Sequence, residues 1–502
     1  MEQPLNKQNI IMLPFMAQGH LIPFLELAYN MLYHNQNIII TIANSPLNIN
    51  YLRSAVAKHA FPTSQLHLKS LPFNSSDHGL PPNSENTDGL TLAQMIKLFT
   101  ASLALEPAFR GFLSDIISGG GSPPVIISDV FMGWANEVAK DMGIRNYSFA
   151  TSGAYGAAAY CSIWLNLPHK NLVTGETYDQ FHVPGFPETC SFEISQLPQI
   201  LQAADGKDEW SRYFQIQISL SMESNGWLCN TVEEIETLGL EVLRNYVKVP
   251  VWCVGPLLPI KMLKKNVGSD TGSGLIGQRS GKEPGIRPEN CIKWLDAHPE
   301  GSVLYISFGS QNTISETQMM ELAKGLEESK KPFIWVIRPP IGFDLKGEFR
   351  PEWLPLGFEN RIGKQGLMVH NWAPQLEILC HRSTGAFLTH CGWNSVMESL
   401  SQGVPLIGWP LAAEQGYNAK ILVEEMGVCV VLTRGVRSRL EKEEVRSVIE
   451  AVMDKSEEGK GESMKKKASE LGDMIRTSIE MNKGSSYKAM NDFMSTIISR
   501  SI

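Results

Sequence analysis

Runs of four or five apolar residues, too short to be helices, recur along this chain between longer amphipathic stretches. Residues 10–14 read as a strand, 21–32 as a helix and 38–42 as the next strand, with 65–69 and 125–128 as further strands. Such continuous apolar strands between helices predict a parallel sheet covered on both faces. The rhythm stops over 259–289, where Lys264-Lys265 is followed by Gly268, Gly272, Gly274, Gly277, Gly281 and Gly285, a composition expected of a flexible linker. It then restarts, with strands at 303–307, 333–337, 386–388 and 405–407 and a helix at 316–327. The last segment, 442–498, is charged, amphipathic and helical, with a break near Gly484. The pattern predicts an α/β chain of two Rossmann-like, doubly wound domains facing each other across a cleft. The division expected is 1–258, a linker over 259–290, a second domain over 291–480, and a C-terminal helix over 481–502 free to pack back on the first domain.

Composition narrows the partners. A chain of 502 residues with 43% apolar and 19% charged residues suits two packed domains. Its net charge of -8 lacks the global basic field of a nucleic-acid binder, so a small molecule is the expected partner and nucleic acid is not. Eight cysteines are scattered without a C-x-x-C pair or zinc-like spacing, which suits a reducing compartment and predicts no metal site. The first apolar run leads into Ala17-Gln18-Gly19-His20 without a signal-cleavage pattern, so it is expected to be a strand of a cytoplasmic protein. No stretch of 18 apolar residues predicts an integral membrane segment.

The most specific sequence lies at residues 372–415. It holds Trp372-Ala373-Pro374-Gln375, then Thr389-His390-Cys391-Gly392-Trp393-Asn394-Ser395, then Glu398, Trp409-Pro410 and Glu414-Gln415. These 44 residues resemble the signature box of the plant secondary-product (family 1) UDP-glycosyltransferases. Matching features also occur at His20, Asp129, Gly255-Pro256 and Ser307-Phe308-Gly309-Ser310, so the resemblance spans the whole chain. It implies a GT-B fold, with the acceptor on the N-terminal domain and the UDP-sugar on the C-terminal one. The UDP-sugar is then a co-substrate, and no cofactor or metal is expected. No two aspartates stand two residues apart, the motif by which transferases of the other main architecture bind a cation.

The residues also make chemical sense without the resemblance. Trp372 can stack on a base through its π face, or it can be a core residue beside a turn. Backbone N–H groups at a helix start after Gly392, with the helix dipole, favour a diphosphate. His390, Asn394 and Ser395 can add side-chain donors, and Ser310 closes a second loop. Ser395-Val396-Met397-Glu398 is also a capping-box pattern, in which Glu398 would simply close the helix start. The resemblance implies instead that Glu398 accepts both ribose hydroxyls, that Gln375 lies near base and ribose, and that Glu414 and Gln415 bind the sugar hydroxyls with Trp393 nearby. Gln at position 415 resembles glucose users, whereas His resembles galactose users.

His20 and Asp129 each follow an expected strand of the first sheet, where ligands of such sheets bind. A lone loop histidine is ordinarily a surface or capping residue, but a carboxylate can hold its tautomer and stabilise its protonated form. The resemblance implies that His20 is the general base and Asp129 its orienting partner in an inverting O-glycosyltransferase. The acceptor expected is a small hydrophobic metabolite such as a flavonoid, another phenolic or a terpenoid. Candidates for its pocket are Phe15, Met16, Phe131, Phe149, Tyr155 and Trp164, most of which could equally be core. Another donor sugar (rhamnose, xylose or galactose), a glycoside acceptor, or a silent nucleotide-sugar binder are the alternatives.

Overall fold

The computed structural model describes residues 7–57, 63–120, 122–171, 179–263, 285–345 and 347–499. In chain order, the first sheet is built from β1 (Gln8–Leu13), β2 (Ile38–Asn44), β3 (Leu66–Ser70), β4 (Val125–Asp129) and β5 (Arg145–Ala150). A small antiparallel hairpin follows, β6 (Gln180–His182) with β7 (Ser191–Glu193), and then β8 (Trp227–Cys229) and β9 (Val251–Cys253) complete that sheet. Its order is β3-β2-β1-β4-β5-β8-β9, parallel throughout. The second sheet comprises β10 (Val303–Ser307), β11 (Phe333–Ile337), β12 (Gly366–His370), β13 (Thr384–Thr389), β14 (Leu406–Gly408) and β15 (Cys429–Val431), in the order β12-β11-β10-β13-β14-β15 and again parallel.

The apolar runs explain themselves in the packing. Along β1 the fully buried side chains alternate between two apolar clusters, Ile10 and Met12 in one and Ile11 and Leu13 in the other. A strand whose side chains point to opposite faces must be apolar at every position when both faces are covered. The two-domain α/β architecture is therefore the one the repeated rhythm calls for. Each sheet also has a topological switch point, where strand order reverses and helices leave on opposite sides. These lie at the carboxyl ends of β1 and β4 and of β10 and β13.

Two segments differ from the sequence expectation. The stretch taken as linker is structured at both ends, with Ile260–Leu263 and Pro288–Asp296 helical; residues 264–284 lie outside the described residues. Met262 is buried and its carbonyl accepts a 2.9 Å bond from Gln402, so this end of the segment is packed on the second domain. The C-terminal segment is three helices, Lys442–Val452, Lys460–Thr477 and Ser485–Ser499, because Gly459 and Gly461 let the chain turn near the first break as well as near Gly484. A Cβ at Gly461 would run into the Val452 carbonyl.

The last helix lies on the first domain. Met490, Phe493, Met494 and Ile497, spaced to share one helix face, are buried in the cluster that holds Ile10 and Met12. Arg145 donates to the carbonyls of Thr496 (2.9 Å) and Ile497 (2.7 Å) near the helix C-terminus, where a cation is favoured. Among the described residues, no helix is long and apolar enough to cross a membrane.

Candidate active site

The first switch point carries a histidine and an aspartate. His20 lies in the first turn of the helix Gln18–His34, not in the loop expected, and Asp129 is the fully buried last residue of β4. Because β1 and β4 are neighbours, their carboxyl ends bring the two together: His20 Nδ1 is 2.6 Å from Asp129 Oδ2. Asp129 Oδ1 is fixed by the Phe131 N–H at 3.0 Å. Thr151 Oγ1, from the end of β5, is 3.4 Å from the same imidazole nitrogen. Nε2 makes no hydrogen bond among the described residues, and the side chain is 19% exposed. Burial by itself would lower the pKa of this imidazole. The charge and hydrogen bond of Asp129, helped by the charge of Glu414, outweigh it and hold the pKa above its ordinary value.

Aromatic rings close around the pair. Ring centroids of Phe15 and Phe131 lie 5.5 and 5.3 Å from the His20 ring. Phe99 is 4.2 Å from Phe15, and Phe214 and Tyr160 stand 5.2 and 5.8 Å from Phe131. Phe99, Tyr160 and Phe214 are not among the sequence candidates. They come from the helices Leu92–Ala101, Glu209–Met222 and Ala154–Asn166, and only the tertiary fold brings them to the dyad.

Phe149, Tyr155 and Trp164 are corrected. Phe149 points to the opposite face of the sheet, packed 4.9 Å from Phe24 in the core. Tyr155 turns its hydroxyl to Cys190 Sγ (3.1 Å) and packs on Phe186. Trp164 is fully buried and stacked on Phe214, one layer behind the rings that reach His20. Met16 is fully buried, and its carbonyl accepts the Thr87 N–H. Phe149, Tyr155 and Trp164 each satisfied the core first, whereas Met16 shares its full burial and its apolar cluster with Phe15 beside the dyad.

The second switch point holds two loops. After β10, Ser307-Phe308-Gly309-Ser310 turns through Gly309, whose φ is 75°. A Cβ there would lie 2.7 Å from the His390 ring, so glycine is what lets the two loops touch. Arg338, just past β11, donates to the carbonyls of Ser310 (2.7 Å) and Asn312 (2.6 Å) and to that of Gly309. Burial, with the Arg338 charge added, pushes the His390 pKa down to about 4, leaving a neutral imidazole at neutral pH.

After β13, Cys391 (φ 62°) and Gly392 lead into the helix Trp393–Ser401, whose N-cap Gly392 offers no side-chain cap. The first-turn N–H groups are donors of the kind that bind anions. Ser395 sits inside this helix, so the capping-box alternative for Glu398 does not hold. Glu398 instead accepts a 2.5 Å bond from Gln375 Nε2, which also reaches Ser395 Oγ at 3.1 Å, while Tyr305 donates to Gln375 Oε1 at 3.1 Å. Trp372 is half-buried on the loop between β12 and the helix Gln375–Cys380, beside buried Ala373. Its carbonyl accepts the Gly285 N–H at 2.7 Å.

Glu414 and Gln415 open the helix Gln415–Glu424. Gln415 Oε1 accepts the N–H groups of Leu411 and Ala412, both at 2.9 Å, so that end of the amide braces its own turn. Burial raises the Glu414 pKa, a shift opposed by the nearby His20 charge, so this carboxyl belongs electrostatically to the dyad across the cleft. Trp393 differs from expectation. Its indole is buried against Gly153 of the first domain and donates to the Asn230 carbonyl at 2.6 Å, so the ring serves the contact between domains. Asn394 Nδ2 donates to the Gly19 carbonyl at 3.0 Å, beside the dyad.

Two doubly wound domains, joined at a cleft that sets a partly exposed imidazole and its buried carboxylate against a helix start, have the architecture of nucleotide-sugar transferases of the GT-B type. Comparison with known proteins supplies the family. The family model described as UDP-glucoronosyl and UDP-glucosyl transferase matches residues 275–468. The chain is 43% identical to UDP-glycosyltransferase 92A1 of Arabidopsis thaliana over 97% of its own length and 96% of that protein. It is 44% identical to crocetin glucosyltransferase 3 of Crocus sativus, over 90% and 93% of the two chains. Among solved structures, Medicago truncatula UGT71G1 complexed with UDP-glucose superimposes with a TM-score of 0.78 at 25% identity, covering 99% and 100% of the chains. Glycyrrhiza uralensis UGT73P12 complexed with glycyrrhetinic acid 3-O-monoglucuronide does so with a TM-score of 0.80 at 26% identity, covering 98% and 96%. The chain belongs to the plant family 1 UDP-glycosyltransferases.

Proposed function

We propose that this enzyme transfers glucose from UDP-glucose to a hydroxyl of a small hydrophobic metabolite, with inversion, and that His20 is the general base. The observation that carries this reading is the 2.6 Å bond between His20 Nδ1 and buried Asp129 Oδ2 beneath an aromatic wall, with Nε2 left for the acceptor. A carboxylate on Nδ1 fixes the tautomer in which Nε2 carries the lone pair. The acceptor O–H gives its proton to Nε2 as the oxygen attacks the anomeric carbon. The bond from that carbon to the diphosphate oxygen breaks on the opposite face, and UDP departs with the electron pair. The helix start at Gly392–Ser395, Ser310 and neutral His390 receive its charge. An α-linked donor then gives a β-glycoside.

Donor contacts are proposed by role. Trp372, beside Ala373, stacks on the base. Gln375 and Glu398 form the ribose end, and the bonds of Gln375 to Glu398 and to Ser395 hold both ready. Glu414 and Gln415 face the sugar; the preference for glucose rests on Gln415 and on relatives such as UDP-glucose flavonoid 3-O-glucosyltransferase 7 of Fragaria ananassa, 32% identical over 95% of this chain. The aromatic cluster of Phe15, Phe99, Phe131, Tyr160 and Phe214 beside His20 suits an acceptor with a flat, largely apolar face, such as a phenolic or terpenoid.

The test is a donor-by-acceptor screen. UDP-glucose, UDP-galactose, UDP-xylose and UDP-rhamnose are each offered with a mixture of phenols, flavonoids and terpenoid alcohols, products are weighed by mass spectrometry, and the new linkage is read by proton NMR. A β-linked hexoside formed fastest from UDP-glucose is expected. No product from any pair, with UDP still bound, would replace this reading with that of a silent nucleotide-sugar binder.

A further inference from the structure

The chain of polar contacts that joins the two domains converges on one residue outside both the dyad and the signature box. Asn230 follows β8 and is 2% exposed. Its N–H donates to the Ala150 carbonyl (3.1 Å) and its carbonyl accepts the Trp393 indole N–H (2.6 Å). Its side-chain Oδ1 accepts the Leu257 N–H at 3.1 Å, where the chain crosses towards the second domain. Its Nδ2 reaches the Thr151 carbonyl at 3.3 Å and Asn394 Oδ1 at 3.4 Å. The Leu257 N–H on one side and the Thr151 carbonyl on the other allow the amide one orientation only. The approach needs Gly255, where a Cβ would lie 2.9 Å from Asn230 Oδ1.

These bonds close a ring around the dyad. Asn230 holds Asn394, Asn394 Nδ2 holds the Gly19 carbonyl, and Gly19 precedes His20. In the other direction Asn230 holds the Thr151 main chain, and the Thr151 hydroxyl is 3.4 Å from His20 Nδ1. One buried amide thus touches the helix start of the second domain, the strand end beside the imidazole, and the crossing segment.

We propose that Asn230 is a positioning residue, setting the helix start at Trp393–Asn394 in register with the turn that carries His20. It acts through its neighbours and touches no substrate. The inference rests on the roles proposed above for His20 and for that helix start. A reacting pair tolerates little misplacement: shifts of about 1 Å cost up to about a hundredfold in rate. A loosened register should therefore be felt in turnover more than in donor binding.

The test uses the full chain with Asn230→Ala and Asn230→Asp. The aspartate keeps the size and the acceptor for the Leu257 N–H but sets a carboxylate against the Thr151 carbonyl and Asn394 Oδ1. Both variants are expected to lose kcat by roughly fivefold or more, with the UDP Kd from calorimetry within about threefold of the parent. In Asn230→Ala the pH inflection of kcat should stay in place, since no charge is removed. A smaller loss of kcat, or a UDP Kd that weakens in step with kcat, overturns the proposal. Hydrogen exchange of the parent provides a readout without turnover. UDP should alter exchange over residues 19–21, across the domain contact, and Asn230→Ala should abolish most of that change. No UDP effect there in the parent overturns the positioning role even if the enzyme is active. An effect in a chain that forms no glycoside would retain it while removing the catalytic reading.

Discussion

His20 is useful as a base only while neutral, yet Asp129 and Glu414 favour its protonated form and hold its pKa above the ordinary value of 6.5. The sign of the pH dependence follows. Turnover should be full above the raised pKa and fall as pH drops through it, at a point above 6.5. Asp129→Asn removes the charge and hydrogen bond that raise the value, so the inflection should move to lower pH in kcat profiles. The plateau should also drop by about a hundredfold or more, because the wrong tautomer is then free to form. At the donor end, Trp372→Ala should weaken UDP binding by about tenfold to a hundredfold in calorimetry, the scale of one lost base–aromatic stack. Single residues were legible where chemistry narrows the choice: a histidine and an aspartate at or beyond the ends of two strands of one sheet, or a glycine before a helix start. Apolar ones were not. Phe149 and Trp164 carry the same local signal as Phe131, and only the face of the sheet or the layer of the helix separates core from pocket wall.

Elements were legible in proportion to how local their cause is. The strands at 10–14, 125–128 and 303–307 announced themselves because both faces of each sheet are covered, so nearly every position is apolar. The strands β8, β12 and β15 are apolar but only three to five residues long, too short to stand apart from the apolar positions of the helices beside them. The turn after β10 shows how an element can depend on one glycine. Gly309→Ala would strain a φ of 75° and drive a methyl into His390, so it should raise the UDP Kd by about tenfold while the dyad keeps its pH inflection. The last helix makes the complementary case for apolar burial. Phe493 has no exposed surface and packs 5.1 Å from Tyr147 and 5.3 Å from Trp252. Phe493→Ala should destabilise the first domain by about 3–5 kcal/mol in denaturant unfolding, with little effect on the donor loops of the other domain.

At the scale of the whole molecule, the account depends on two switch points facing each other. Each is a consequence of strand order, and strand order is not written in any single strand. The repeated rhythm was enough to imply two doubly wound sheets; the contact between them, through Trp393, Asn394 and Asn230, was not, because it joins residues 163 and 164 positions apart. The proposed division of labour is that one domain carries the base and the other holds the nucleotide, so the two functions should separate in a single substitution. His20→Ala, measured for kcat with UDP-glucose and its best acceptor and for UDP binding by calorimetry, tests this most directly. The expected result is a fall in kcat of about a hundredfold or more with the UDP Kd unchanged within about threefold. Turnover that survives the substitution, or UDP binding that is lost along with it, would contradict the account.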